Sequence, residues 1–169
     1  QIFFRVCTFF KKHVFCIFAN QFRLFLGAFF STRDAHISAL HIGIHFFDML
    51  HFVFGKLQDN RVSLRKDTKA SGYLEYERAR VRWFLSIDYN DIPKIVQKKG
   101  NRTFRSITVN GKEIEFSDGF SELHNLSYRE ILKGNGFDLE ENRVAIETVS
   151  EIRTGGIKKI QDKHPLIIG

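Results

Sequence analysis

Three side chains in this sequence are spaced for chemistry. His41, His45 and Asp48 recur at intervals of four and three, with Phe52 four further on, so on a helix they line one face. An imidazole titrates near neutral pH and can take the proton of an alcohol as it is oxidised; a carboxylate one turn along can orient that imidazole. Two other readings fit the same spacing. His41 and His45 form His-x-x-x-His, the spacing of two metal ligands, but the zinc-protease form needs a Glu after the first His and Ile42 stands there. The third reading is a polar helix surface without chemistry.

Other candidates are less pointed. Arg78, Arg80 and Arg82 form a basic row with the spacing to grip a phosphate or carboxylate, or to pair with Glu75 and Glu77 on an exposed or subunit-facing sheet. Lys94 to Arg102 reads as a basic loop around Gly100; no aromatic platform accompanies it, so a nucleic-acid partner is not predicted. The chain has no Gly-rich loop after a strand, no P-loop and no Gly-x-Ser-x-Gly. Cys7 and Cys16 are too few for a disulfide framework or a four-cysteine zinc site.

The elements that must position these residues follow from periodicity. Ile42 to Phe54 has the helical pattern, with Ile44, Phe47 and Phe54 on an apolar side and Gly55 as the stop. Arg61 to Lys66 alternates like a strand. Gly72 to Asp88 reads as one long strand, apolar on even positions at Leu74 and Tyr76 and on odd ones from Ala79 to Ile87, with a bulge or bend at Glu77-Arg78. Thr103 to Val109, Asn110-Gly111 and Lys112 to Phe116 form a hairpin signature, because Asn-Gly suits the positive φ values of a type I′ turn. Ser121 is placed to cap a helix ending before Gly134, with Leu123, Leu126 and Ile131 as core contacts. Asp138-x-x-Glu141 resembles a capping box for a helix that buries Ala145, Val149 and Ile152 and stops at Gly155-Gly156. The tail from Lys158 reads as an exposed end. A helix, several mostly antiparallel strands and two closing helices predict an α+β fold, one sheet covered on one face by helices.

Residues 1–40 have a different character. The chain has 169 residues and a net charge of +7, and ten of its 19 Phe lie in residues 1–30. Residues 1–40 carry +4 of the charge, leaving +3 on residues 41–169. The longest stretch there without a charged residue, His13 to Phe22, is ten residues, short of the roughly 20 that cross a bilayer. No cleavage site follows it, and the Phe doublets keep no helical period. The composition suits an AT-rich gene translated in the wrong frame or strand; a membrane-surface segment is the alternative. The predicted organisation is a non-homologous or disordered segment over 1–40, an α+β domain over 41–157 and a tail over 158–169.

From Ile42 onward the sequence resembles the Gfo/Idh/MocA oxidoreductases. Ile42 to Leu50 is close to that family's Asp/Asn-x-Gly-x-His-x-x-Asp motif. Lys69 to Ser86, Arg105 to Gly111 and Glu115 to His124 are similar to the UDP-N-acetyl-2-amino-2-deoxyglucuronate oxidases of bacterial O-antigen synthesis, and the similarity runs to about Arg153. The resemblance implies a C-terminal domain with an open-faced sheet that forms subunit contacts. It also implies oxidation of the C3 hydroxyl of a UDP-linked uronate, with hydride passing to NAD. His45 falls on the catalytic His and Asp48 on its orienting carboxylate. Gly43 falls on the motif Gly, and His41 takes the first motif position, usually Asn, so these two are expected beside the substrate. The family's Gly-x-Gly-x-x-Gly and Glu-Lys-Pro motifs do not occur in residues 1–40, so this chain is not expected to hold NAD stably. The expectation is a piece of a cytoplasmic sugar-nucleotide dehydrogenase, inactive alone and homo-oligomeric through its sheet, without membrane or nucleic-acid partners. The alternatives are a non-catalytic oligomerisation or binding module, or another sugar dehydrogenase of the same family.

Overall fold

The structure, a computed structural model, describes residues 2–8, 38–117, 123–135, 139–160 and 164–167. Six strands form one sheet: β1 (Ile2–Thr8), β2 (Leu57–Arg65), β3 (Lys69–Tyr76), β4 (Arg80–Ser86), β5 (Thr103–Val109) and β6 (Lys112–Glu115), in the order β2-β3-β4-β1-β5-β6. Among the described strands only the β1–β4 pair is parallel, so the sheet is mostly antiparallel as predicted. Among the described residues four α-helices accompany it: α1 (Ser38–Phe54), α2 (Lys94–Lys98), α3 (Leu123–Leu132) and α4 (Leu139–Thr154). The α+β architecture is the one expected, with the two long helices α1 and α4 on one face of the sheet and the short α2 on the other.

α1 packs over β3 and β4, α4 packs over β2, and the two helices pack on each other. Their spacing explains why. Leu40, Phe47 and Leu50 recur along one stripe of α1 and are at most 1% exposed. Ala145, Val149 and Ile152 form the corresponding buried stripe on α4, as the sequence predicts. Both stripes meet Val62, Leu74, Val81, Trp83 and Leu85 on the sheet. Phe47 meets the Trp83 ring edge-on, with centroids 5.5 Å apart, and Gly72 leaves room for that indole: a Cβ there would lie 2.8 Å from Trp83 Cζ2.

The predicted long strand from Gly72 to Asp88 is instead a hairpin. β3 and β4 pair antiparallel, Glu75 with Arg80 and Leu74 with Val81, and the Tyr76 N–H donates to the Ala79 carbonyl at 2.8 Å. A two-residue turn at Glu77-Arg78 joins a strand with even apolar positions to one with odd apolar positions on the same face. The parity change therefore marks a reversal of direction, not a bulge. The Asn110-Gly111 turn is as expected, with φ of 50° and 82°.

Four further differences from the sequence reading stand out. Ile2–Thr8, where the periodicity predicts no strand, lies at the centre of the sheet between β4 and β5. Lys94 to Arg102 opens with the short helix α2 and turns at Gly100, whose φ is 76°. Leu126 and Ile131, expected in the core, are 48% and 53% exposed. The tail is not a free end: Ile157 bridges to Val62, the Lys158 N–H donates to the Val62 carbonyl, and Ile160 and His164 are buried. His164 stacks on Phe84 at 5.7 Å, on the sheet face opposite α1, where Phe84, Ile92, Val96 and Phe104 form a second core. Residues 9–37 of the Phe-rich segment, the proposed caps Ser121 and Asp138, and the side chain of Leu123 lie outside what is described.

Candidate active site on helix α1

The helix that carries the His-Asp pair is held at its C-terminal end by named groups. Gly55, with a φ of 83°, closes it by donating to the His51 carbonyl at 2.9 Å. The Arg78 side chain donates to the Val53 carbonyl at 2.9 Å and the Arg78 N–H to the Phe54 carbonyl at 3.2 Å. The basic row is thereby dismantled. Arg78 caps a helix, and Arg80 is exposed and pairs with Glu75. Arg82 is buried opposite Tyr73, on the face away from α1.

With one face of α1 buried, the other face points to solvent. His45 and Asp48 are exposed one turn apart, and Phe52, at 88% exposure, continues the stripe. The spacing predicted this shared face. Gly43 is on the buried side, where a Cβ would lie 2.5 Å from Leu85 Cδ1, so it lets the start of α1 sit close on β4. The structure therefore separates Gly43 from the exposed pair by half a turn of helix. His41 lies in α1, but its side chain is outside those described. Among the described residues, no three His, Cys, Asp or Glu side chains are placed to hold a metal ion.

His51, three residues beyond Asp48, was not singled out by sequence, although the i, i+3 spacing was there to be read. The Thr148 hydroxyl gives its one proton to the Val144 carbonyl at 2.8 Å, so it must accept from His51 Nε2–H at 3.0 Å. This fixes the tautomer of His51 and ties α1 to α4. Burial lowers the His51 pKa from its ordinary value; the Asp48 carboxylate and the Gly55 backbone oppose that shift. The imidazole meets Tyr76 edge-on at 5.1 Å. Among the described residues the buried Tyr76 hydroxyl has no hydrogen-bond partner, and that burial raises its pKa.

The described glycines do not make a dinucleotide cradle. Gly43 and Gly72 pack against Leu85 and Trp83 inside the core, while Gly100, Gly111 and Gly134 sit in open turns. A pyrophosphate site needs glycines between a strand and the N-terminus of a helix, and these residues do not fit NAD. Among the described residues no helix is long and apolar enough to cross a membrane.

A sheet of this order, backed by two helices of which one presents an exposed His and Asp, defines a class. Residues 37–154 match the oxidoreductase family, C-terminal alpha/beta domain (Gfo/Idh/MocA), and the chain belongs to that family. Two solved structures of the WlbA (WbpB) dehydrogenase from Thermus thermophilus are similar to it. The one in complex with NAD and alpha-ketoglutarate is 37% identical with a TM-score of 0.79, covering 98% of this chain and 51% of that one. The one in complex with NAD and UDP-GlcNAcA is 36% identical with a TM-score of 0.77, covering 98% and 50%. The chain thus spans about half the length of the solved structures it matches.

Proposed function

We propose that this chain is the substrate-facing half of an NAD-dependent sugar-nucleotide dehydrogenase acting on a UDP-linked uronate. The observation that carries the proposal is its 36% identity, over 98% of its length, with a dehydrogenase in complex with NAD and UDP-GlcNAcA. In this reading the exposed His45 accepts the proton of the sugar hydroxyl, and Asp48, one turn on, orients the imidazole and stabilises its charge. Gly43 brings the start of α1 down onto β4, and His41 lies one turn before His45, beside the sugar. NAD belongs to the part of the longer relatives that this chain does not span. The chain alone is then inactive, cytoplasmic, and homo-oligomeric through its sheet, and the product of the whole dehydrogenase feeds surface-polysaccharide synthesis.

The test uses the purified 169-residue chain. UDP-GlcNAcA should shift the imidazole NMR signals of His45, assigned with His45→Gln, and should leave those of His51 little changed. No shift at His45 would remove the substrate-facing role. With NAD added, NADH absorbance should stay at the blank; a rise would end the claim that the chain is inactive alone.

A further inference from the structure

The polar side chains under the last turns of α1 do not all pair with one another. Tyr76 projects from β3 into the helix-side core and is 3% exposed. Its ring meets Phe54 at 6.3 Å and His51 edge-on at 5.1 Å. The Tyr76 hydroxyl and His51 Nδ1 are both buried, and among the described residues neither atom has a hydrogen-bond partner. Two such atoms on side chains in contact are unusual, because a buried polar atom left unbonded carries its full desolvation penalty.

Their bonding capacities are complementary. His51 Nε2 carries the ring proton and donates it to the Thr148 hydroxyl at 3.0 Å, so Nδ1 is a bare acceptor. The Tyr76 hydroxyl has one proton to donate. A third group lies close by. Burial lowers the His51 pKa, while Asp48 and the Gly55 backbone oppose the shift. A backbone group that favours the charged imidazole is a carbonyl, since an N–H would disfavour it. No direct hydrogen bond joins Nδ1 to that carbonyl. A polar contact just beyond hydrogen-bond distance is where a bridging water sits.

One water matches all three groups. Its two protons go to His51 Nδ1 and the Gly55 carbonyl, and its oxygen accepts from the Tyr76 hydroxyl. Three hydrogen bonds are usual for a buried water. An ion does not suit these partners: burial disfavours the charged forms of both His51 and Tyr76, and the third group is a neutral carbonyl.

We propose that a single buried water bridges the Tyr76 hydroxyl, His51 Nδ1 and the Gly55 carbonyl, and so joins β3 to the last turn of α1. Together with the Thr148 bond it gives His51 a partner at each ring nitrogen, one on α4 and one, through the water, on β3. The end of α1 is then held by a hydrated polar joint, while Leu40, Phe47 and Leu50 hold its length through apolar contact. This inference does not depend on the substrate proposed above.

Two measurements on the full chain test it. A crystal structure that orders internal waters should show one within hydrogen-bond distance of all three groups. Direct contact between the Tyr76 hydroxyl and His51 Nδ1, or no water bonded to them, overturns the proposal. In urea denaturation Tyr76→Phe should lower the folding equilibrium constant about fivefold, the size of one net hydrogen bond. A constant that is unchanged or raised would mean that the hydroxyl is unbonded in the native state, and overturns the proposal as well. If Tyr76→Phe does not fold, NMR on wild type takes its place. Cross-relaxation between a long-lived water and the His51 Hε1 proton, beside Nδ1, is the expected result, and its absence overturns the proposal.

Discussion

α1 and α3 look alike as sequence and differ as structure. Each carries apolar residues at helical spacing, and each ends at a glycine with positive φ, Gly55 and Gly134. In α1 the stripe of Leu40, Phe47 and Leu50 is at most 1% exposed. In α3 Leu126, Ile131 and Leu132 are 48%, 53% and 87% exposed, and no described side chain from Asn125 to Asn135 is buried. Periodicity writes a helix in both cases, but only a facing surface makes it a core helix. The docking of α1 also matters for function: a helix fixed by one stripe holds its opposite stripe, with His45 and Asp48, at a constant height above the sheet.

The largest effect expected from this contrast is in α1. Phe47→Ala removes a ring that is fully buried against Trp83 and should cost about 3–5 kcal/mol in urea denaturation. A cost below about 1 kcal/mol would mean that α1 is not docked as described. Next comes the anchoring of α4. Arg65 Nη1 donates to the carbonyls of Ile152, Arg153 and Gly155 at 2.8, 2.6 and 2.8 Å, satisfying the helix end and meeting its negative pole. Arg65→Ala should cost about 1.5–3 kcal/mol, with partial recovery in Arg65→Lys, whose ammonium reaches fewer of the three. Equal losses for both variants would show that the charge at this cap contributes nothing without the guanidinium fork.

Much of this was legible in the sequence, for reasons that differ by element. α1, α4 and the Asn110-Gly111 hairpin are encoded by local rules of apolar spacing and backbone preference, and the shared face of His45 and Asp48 comes with the first of them. The β3–β4 reversal was misread because a two-residue turn at Glu77-Arg78 has no Gly or Asn to announce it; its backbone is held instead by Lys56 and Phe54, some twenty residues earlier. The arginine row failed for the same reason, since alternation only ranks residues by face until the chain's reversal is known. His51 was hidden by its partner: what places it is Thr148, and no local pattern joins it to a threonine 97 residues away.

His51 supplies a smaller effect, one that reports on the α1–α4 contact itself. Its pKa is lowered in the folded chain, chiefly by burial, against an ordinary value of 6.5. The unfolded chain therefore binds more protons in that range, and stability should fall as pH drops through and below about 6.5, then level off once the folded imidazole is also charged. The groups facing it are the Thr148 hydroxyl on α4, Tyr76 on β3 and Asp48 on α1. Thermal melts from pH 8 to 5 should show this slope in wild type and less of it in His51→Gln, whose amide can still donate to Thr148. An identical slope in both would place the titration elsewhere.

The smallest expected effect completes the contrast. Leu132 is 87% exposed at the end of α3, so Leu132→Ser removes little buried surface and should change stability by no more than about 0.5 kcal/mol. A serine is a slightly poorer helix former than leucine, which sets the sign as a small loss. The value of the measurement lies in its failure. A loss near that of Phe47→Ala would mean that α3 buries its apolar residues in solution. Concentration dependence of that loss would then separate the two ways to do so. If the difference between wild type and variant grows as the chain is concentrated, α3 is covered by another copy; if it is constant, α3 folds back on its own chain. A near-zero effect at every concentration leaves α3 as a helix defined by its own sequence, and α1 as one defined by what it packs against.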